Sequence, residues 1–455
     1  MSTYTEIALG VTVFLLVGIR PGIWGLLRFI LAVHLLGDAL LGWVWGLMPT
    51  YAFMKYIDDP DRIYAALFLA VAVLITDLTY RASRRVRLVV TDRFGTRAAE
   101  DADRPQSGAQ GFASAFLIAG LVCKLIFLAA TGVLTGARSI SDLRPADSIG
   151  LGAIVMLADF LIPYGVAALR RAGKAPWPVV GDLFFLAAVS FLSFSKAAFI
   201  TYAVIYGLSY LLAEGWHRTR REFLNWKSLL IVGIAFLSLG IKSQQRAGLL
   251  VSLNSSAMTE QAMSGASARF MGGIFRAYTV AVREVRHGWP PLGGSYHSQA
   301  ALLIVPRALW PDKPHVASEQ LYYLLGVTEE DYGTAFAINL YGCMVFDFGL
   351  AGCLIGAAIV GVLLQVGDKS IPSWRELARS SSRGHRWQYF ATMWLYLAVP
   401  LSEGGIPVAI VSGIGLTAAY VLVEVCNHIA HAVVLAASAS PHRQRDTVNA
   451  VPAHG

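Results

Sequence analysis

Apolar runs long enough to cross a membrane recur along the whole chain. A helix of about 20 residues, rising ~1.5 Å per residue, crosses a hydrocarbon layer of ~30 Å. Eleven such runs cover residues 4 to 19, 22 to 48, 63 to 80, 112 to 135, 149 to 169, 179 to 194, 197 to 213, 229 to 241, 349 to 365, 388 to 402 and 406 to 425. The pattern predicts an all-α polytopic membrane protein with about eleven transmembrane helices.

One long hydrophilic stretch, residues 242 to 348, separates two groups of apolar runs. We expect residues 1 to 241 to form eight transmembrane helices and residues 349 to 430 the remaining three. The stretch between them is expected to be a large loop that contains helices of its own. Residues 431 to 455 are predicted to form a disordered tail.

The positions of lysine and arginine predict the orientation, because cytoplasmic loops retain cationic residues. Cations are concentrated in residues 81 to 111, 214 to 228 and 366 to 387. With these loops inside, the N-terminus lies outside and the C-terminal tail lies in the cytoplasm. The stretch 242 to 348 then faces the exterior, which is the periplasm if the membrane is a bacterial inner membrane.

Composition narrows the class of function. The chain is 56% apolar and 15% charged, and its net charge of +8 is explained by the cationic loops and anionic lipid headgroups. No nucleic-acid motif, metal-ligand spacing or glycine-rich phosphate loop occurs, and the four cysteines lie in apolar surroundings. We therefore expect no nucleic-acid partner and no cofactor. An external substrate would have to arrive already activated, and a lipid pyrophosphate would serve.

Three arginines in the hydrophilic stretch are spaced for one face of a helix. Arg269, Arg276 and Arg283 follow each other at seven-residue intervals, which return to within about 20° on a helix. Guanidinium groups suit a pyrophosphate because each offers forked donors and a permanent charge. The alternative is a solvated face that pairs with Glu284 and lipid headgroups.

A second cationic segment lies at residues 306 to 314, PRALWPDKP. Its three prolines restrict the backbone, so Arg307, Trp310 and Lys313 are presented from a stiff segment. Such presentation favours a binding site. Trp310 can equally be an anchor at the membrane interface, and the whole segment can be a structural turn.

These residues carry a resemblance to a known family. Gly294, Ser295 and Tyr296, followed by the segment 306 to 314, resemble the large periplasmic loop of Wzy-type O-antigen or oligosaccharide repeat-unit polymerases. Arg269 lies at about the expected distance upstream. The Ser-Lys turn at residues 195 to 196 and FDFGLAG at residues 346 to 352 are also similar to the family, whereas the other helices share only hydropathy and number.

The resemblance implies a GT-C-type glycosyltransferase architecture, in which helices embed a polyprenol tail and periplasmic segments cover the sugars. The terminal hydroxyl of one lipid-linked repeat unit attacks the anomeric carbon of a glycan on undecaprenyl pyrophosphate. Membrane lipids and a chain-length regulator protein are the other candidate partners. An O-antigen ligase or another polyprenol-dependent glycosyltransferase shares this donor chemistry and stays an alternative.

Site residues follow from that reaction. Negative charge grows on the departing phosphate, so fixed cations would stabilise the transition state without a metal. Tyr296 and Trp310 are candidate substrate-binding residues. The candidate pyrophosphate-binding cations are Arg269, Arg276, Arg283, Arg307, Lys313 and Lys196. Lys196 can alternatively be a lysine that snorkels to the interface.

A sugar hydroxyl is a poor nucleophile, and a base could accept its proton. His297 directly follows Tyr296, and Glu403 lies in the segment SEGGIP between the last two runs. Both are candidate catalytic residues. The alternative for each is an ordinary surface or helix-end role.

Several acidic and basic residues suggest other chemistry. The acids of residues 58 to 61 resemble a weak metal-binding pair, although acids beside a proline commonly form turns. Ionisable residues within apolar runs are costly and favour the rival class, a flippase or secondary transporter, unless they pair with one another. These residues are Asp38, Asp77, Lys124, Asp159 and Asp347.

Overall fold

The computed structural model describes residues 3–19, 22–44, 57–83, 109–136, 152–173, 178–190, 192, 198–228, 230–231, 233–234, 273–298, 338–370 and 385–439. Regular structure in these residues is entirely helical. We number the helices α1 Thr3–Leu16, α2 Ile23–Val44, α3 Asp59–Ala82, α4 Ala109–Ala130, α5 Gly152–Arg171, α6 Val179–Ser190, α7 Ala198–Phe223, α8 Gly273–Arg286, α9 Ser295–Ser298, α10 Leu340–Ser370, α11 His385–Tyr396 and α12 Ala398–Ala439.

The helices coincide with ten of the eleven apolar runs, and the all-α prediction is confirmed. The run 229 to 241 lies mostly outside the described residues. Helix α12 continues to Ala439, so the segment predicted to be a disordered tail from residue 431 begins as helix. Its apolar and small residues continue the preceding helix without a proline or glycine to end it.

Among the described residues, four segments are long enough and apolar enough to cross a membrane, namely Asp59–Ala82, Ala113–Ala130, Leu340–Lys369 and Gly404–Cys426. Each also leaves large apolar side chains exposed. On α3 these are Leu67, Val71, Leu74 and Leu78, which follow one face of the helix. Such a stripe would be unfavourable in water and is suited to lipid.

Two of these segments are interrupted by glycine. Gly349 in α10 and Gly405 in α12 have φ of 74° and 66°, in the left-handed region that favours glycine. The chain before Gly349, residues 338–347, is completely buried. The membrane-length segment of α10 thus begins at Leu340, before the ninth apolar run that was predicted from residue 349, and Gly349 interrupts it.

Helix α8 is the clearest difference between expectation and structure. It was expected in an external loop, yet residues 274–282 are all buried and α8 packs against α2, α3 and α10. Phe275, Tyr278 and Val282 join the main hydrophobic core. Polar side chains on one face keep its hydropathy low, so the sequence does not reveal it as part of the helix bundle.

Side-chain contacts show which helix ends lie together. The Tyr4 hydroxyl on α1 donates to Asp38, near the end of α2, at 2.5 Å. Arg286 at the end of α8 contacts Asp61, at the start of α3, at 3.3 Å. We call this the upper end of the bundle. Helix α10 also begins here, because Tyr278 of α8 donates to the carbonyl oxygen of Ala65 near the start of α3 and lies 3.3 Å from the position of a Cβ at Gly342.

The opposite, lower end is held by one carboxylate. Asp368, at the end of α10, accepts from the Tyr80 hydroxyl at 2.7 Å and from the indole N–H of Trp394 at 3.0 Å. It also accepts from the backbone N–H of Ile23, the first residue of α2, at 3.1 Å. Helices α2, α3, α10 and α11 therefore meet there.

Candidate functional site

A histidine and an aspartate face each other at the upper end. His297 Nδ1 lies 2.6 Å from the Asp347 carboxylate, and the Asp347 side chain has no exposed surface. His297 belongs to the short helix α9, and Asp347 lies two residues before the break at Gly349. We call the two residues the His–Asp dyad.

The same carboxylate anchors the backbone around His297. Oδ1 accepts from the N–H of Gly294 at 2.9 Å and of Tyr296 at 3.2 Å, and Oδ2 accepts from the N–H of His297 at 3.0 Å. Backbone bonds from residues 292 and 293 to residues 346 and 347 extend this contact. Asp347 therefore fixes the whole segment on α10, which also explains a charge that looked costly in the sequence.

Glycine allows this sharp turn. Gly293 and Gly294 have φ of 65° and 92°, and a Cβ at Gly294 would lie 3.3 Å from the Phe348 ring. The small residue that opens the Gly-Ser-Tyr motif is therefore required by the backbone path. With it, the N–H groups that follow converge on one carboxylate.

Tyr296 connects the dyad to α12. Its ring is buried, and its hydroxyl donates to the carbonyl oxygen of Gly404 at 2.9 Å. Burial raises the pKa of the Tyr296 hydroxyl, so the group stays a neutral donor. A Cβ at Gly405 would lie 3.0 Å from the sulfur of Cys343. The interrupted parts of α10 and α12 are therefore neighbours, with Tyr296 between them.

The second ring nitrogen of His297 does not take part in the contact with Asp347. Nε2 is buried and has no hydrogen-bond partner among the described residues. The ring packs against Phe348 with centroids 5.0 Å apart, and 18% of the side chain remains exposed. A buried nitrogen without a partner is unusual in a native protein and suits a group that meets a ligand.

A long apolar groove lies between α10, α11 and α12. It encloses about 860 Å³, and its α12 lining extends from Ile406 to Val425, which spans ~28 Å at the helical rise. Leu401 and Ile406 line it close to Gly404, the residue bonded to Tyr296. An apolar chain in this groove would end near the dyad.

Arg276, a predicted pyrophosphate ligand, is bound to a carboxylate of the protein. Its Nε lies 2.7 Å from Asp38, and both side chains are buried. Tyr4 donates to the same carboxylate. The charge of Arg276 is therefore balanced inside the bundle, because α8 packs there instead of facing solvent.

The other described arginines of α8 also face acids. Arg283 contacts the neighbouring Glu284, with Nε at 3.0 Å, which is the alternative that the sequence left open. Arg286 contacts Asp61 and lies 4.6 Å from the centroid of the Tyr64 ring. The described arginines of the predicted stripe, Arg276 and Arg283, therefore form ion pairs at the upper end.

The acids of residues 58 to 61 have a structural role. The Asp58 side chain accepts from the N–H of Asp61 at 3.3 Å and caps α3, with Pro60 in the first turn. Acids in the first turn also favour the helix dipole. Within the described ranges, no group of three or more metal-ligating side chains occurs.

Several predicted site residues lie outside the described residues. These are Arg269, Lys196, Arg307, Trp310 and Lys313. Glu403 is part of α12, directly before Gly404, and only its backbone is described. The structure therefore brings together His297, Tyr296 and the Gly404 region, and the cationic positions stay predictions.

Charges within the apolar runs have partners. Lys124 Nζ lies 2.9 Å from Asp159, which also accepts from the Tyr202 hydroxyl at 2.9 Å. Asp77 is contacted by Arg81 at 2.6 Å and by Arg28 at 3.7 Å. The sequence indicated that these residues could pair with one another, but it did not identify the partner of each residue.

No protein-family model matches the chain, and no curated protein or solved structure is similar to it at a significant level. The resemblance carried by residues 294 to 314 therefore rests on those residues alone. What the protein does has to follow from the chemistry of the upper end.

Proposed function

We propose that the protein polymerises polyprenyl-pyrophosphate-linked oligosaccharide repeat units at the periplasmic face of a bacterial inner membrane. One observation carries the proposal: His297 Nε2 is buried without a described partner, and the neighbouring Tyr296 bonds to Gly404, which lies between two residues, Leu401 and Ile406, that line a groove of lipid length. Glycosyl transfer between lipid-linked sugars needs a proton acceptor where a membrane-embedded tail meets an exposed sugar. In the sequence, His297 directly follows Gly294, Ser295 and Tyr296 of the motif that resembles the polymerase family.

In the proposed reaction His297 Nε2 accepts the proton of the attacking sugar hydroxyl. The hydroxyl oxygen forms a bond to the anomeric carbon of the donor glycan. The bond between that carbon and the pyrophosphate oxygen breaks, and its electron pair leaves with the polyprenyl pyrophosphate. His297 then releases the proton to water, which returns the imidazole to its starting state.

The leaving pyrophosphate needs positive charge. In the proposal, this charge comes from Arg269, Arg307, Lys313 and Lys196, because the charge of Arg276 is already balanced by Asp38. These side chains would act on the departing oxygen without a metal. The external orientation of the upper end is part of the same proposal and rests on the cationic loops at the opposite end.

The test is polymerisation by the purified protein in lipid nanodiscs, supplied with a synthetic polyprenyl-pyrophosphate repeat unit. We expect a ladder of products on a gel, unchanged by a chelator. The variant H297Q should slow growth by about 10²- to 10⁴-fold, the usual contribution of a general base. H428Q is the matched control, because that side chain is 74% exposed and lies far along α12.

Two results would contradict the proposal. If the wild-type protein forms no polymer from any lipid-linked unit, the proposed reaction is wrong. If H297Q keeps full activity, His297 is not the general base. A deletion strain separates the ligase, because loss of a polymerase leaves a single repeat unit on lipopolysaccharide. Loss of a ligase or flippase would leave none.

The broken helices favour a second candidate, a transporter or flippase for the same lipid-linked sugar. Glycine interrupts α10 and α12 close to one another, and paired interrupted helices form substrate sites in many transporters. A flippase would move a fluorescent lipid-linked sugar across vesicles without joining units. It would also tolerate R307A, whereas the polymerase should lose chain growth.

A further inference from the structure

We propose that Asp347 is a positioning residue, which holds the proton of His297 on Nδ1 and leaves Nε2 as the proton acceptor. Its consequence for catalysis rests on the proposed function. The tautomer itself is a property of the protein and can be measured without any reaction. The sequence singled out Asp347 only as a costly charge in an apolar run.

Hydrogen-bond geometry supports this assignment. A carboxylate only accepts hydrogen bonds, and the Asp347 oxygens already accept three backbone N–H groups. Nδ1 of His297 approaches the same carboxylate at 2.6 Å, so it has to be the protonated nitrogen. In a neutral imidazole the other nitrogen then carries the lone pair.

The ring is also held in place. Asp347 Oδ2 binds both the backbone N–H and the ring nitrogen of His297, so one oxygen fixes two points of the residue. Tyr296 and Phe348 pack on the ring with centroids 5.6 and 5.0 Å away. A 180° ring flip would put Cδ2 in the place of Nδ1 and break the bond to Asp347.

A purely anchoring role for Asp347 makes a different prediction. If the carboxylate only fixed the backbone of residues 294 to 297, its loss would loosen the segment without selecting a tautomer. If it also positions the imidazole, an amide in its place can donate to Nδ1 and favour the tautomer protonated on Nε2. In a Ser-His-Asp triad the matching change lowers kcat about 10⁴-fold for this reason.

The experiment is ¹⁵N NMR of histidine-labelled protein in nanodiscs, at a pH where imidazole is neutral. The chain has ten histidines, and the His297 signals are those lost in H297Q. In wild-type protein we expect a protonated Nδ1 and an unprotonated Nε2. In D347N we expect the reverse, with kcat lowered at least about 10²-fold and KM little changed.

Two findings would overturn the inference. One is wild-type protein with the proton on Nε2, which decides the matter even if D347N fails to fold. The other is a folded D347N that keeps both the wild-type tautomer and the wild-type kcat. Absence of polymerisation with the expected tautomer would instead refute the proposed function, so the two failures are distinguishable.

Discussion

Two buried aspartates in this molecule each accept hydrogen bonds from several groups, but the two clusters differ in whether every group has a partner. In the first, Asp159 accepts from Lys124 and from Tyr202, and each charge has a partner within the bundle. In the second, Asp347 accepts from His297 and three backbone groups, yet His297 Nε2 has no described partner. A buried charge that has a partner thus shows only that its desolvation cost is offset. A buried nitrogen near a groove that has no described hydrogen-bond partner instead indicates a candidate site.

The first arrangement recurs. Three buried aspartates each bind one cation and one tyrosine hydroxyl, and each cluster joins separate helices. The clusters are Tyr4–Asp38–Arg276, Lys124–Asp159–Tyr202 and Arg170–Asp182–Tyr206. This repetition favours a structural role for Arg276, which the sequence had grouped with the candidate pyrophosphate ligands.

The largest effect is expected from breaking the first cluster. K124M should lower the free energy of unfolding by about 3–5 kcal/mol, because it leaves the Asp159 carboxylate buried without its cation. The measurement is an SDS titration of the purified protein. The double variant K124M/D159L should recover most of the loss and keep polymer formation. A double variant as unstable as the single one would show that the charges themselves are needed.

A smaller effect is expected at the cluster of Tyr4, Asp38 and Arg276. R276Q should cost about 1–3 kcal/mol, since the amide can still donate to Asp38 but carries no charge. The double variant R276Q/D38N removes both charges and should restore stability together with polymer formation. Restored stability without activity would instead place Arg276 in contact with the substrate, against the structural interpretation.

The smallest effect is expected at an exposed pair. Arg218 contacts Glu214 one helical turn away at 2.6 Å, and 60% of its side chain is exposed. R218A should change the free energy of unfolding by about 0.5 kcal/mol or less, because solvent already screens the pair. A loss of several kcal/mol in the same titration would contradict this prediction, because it would show that an exposed ion pair contributes as much stability as a buried one.

The positions of most described helices along the chain were predictable from the sequence. Apolar runs become helices in a membrane protein because hydrocarbon offers no partner for backbone N–H and C=O groups. The membrane-length segment of α10 begins at Leu340, earlier than the predicted start at residue 349. The burial of helix α8 against α2, α3 and α10 was not predicted, because a helix that buries charged side chains against partners from other helices has no apolar run to reveal it.

The site was predictable only in part. His297 was proposed from the chemistry that a sugar hydroxyl requires, and its sequence neighbours Gly294 and Tyr296 were recognised with it. Its partner Asp347 lies 50 residues away along the chain. No local pattern connects the two, since a hydrogen bond depends on where the start of α10 packs and not on spacing.

Hydropathy thus determined the all-helical, apolar class of protein, because this depends on the solvent that each segment meets. The tertiary structure decided which charges are neutralised and which nitrogen keeps a lone pair. Arg276 and His297 show the division most clearly. Both lie in the same hydrophilic stretch and contact a carboxylate. The packing of α8 against α2 balances the charge of Arg276 with Asp38, whereas the packing of α9 against α10 leaves Nε2 of His297 without a described partner.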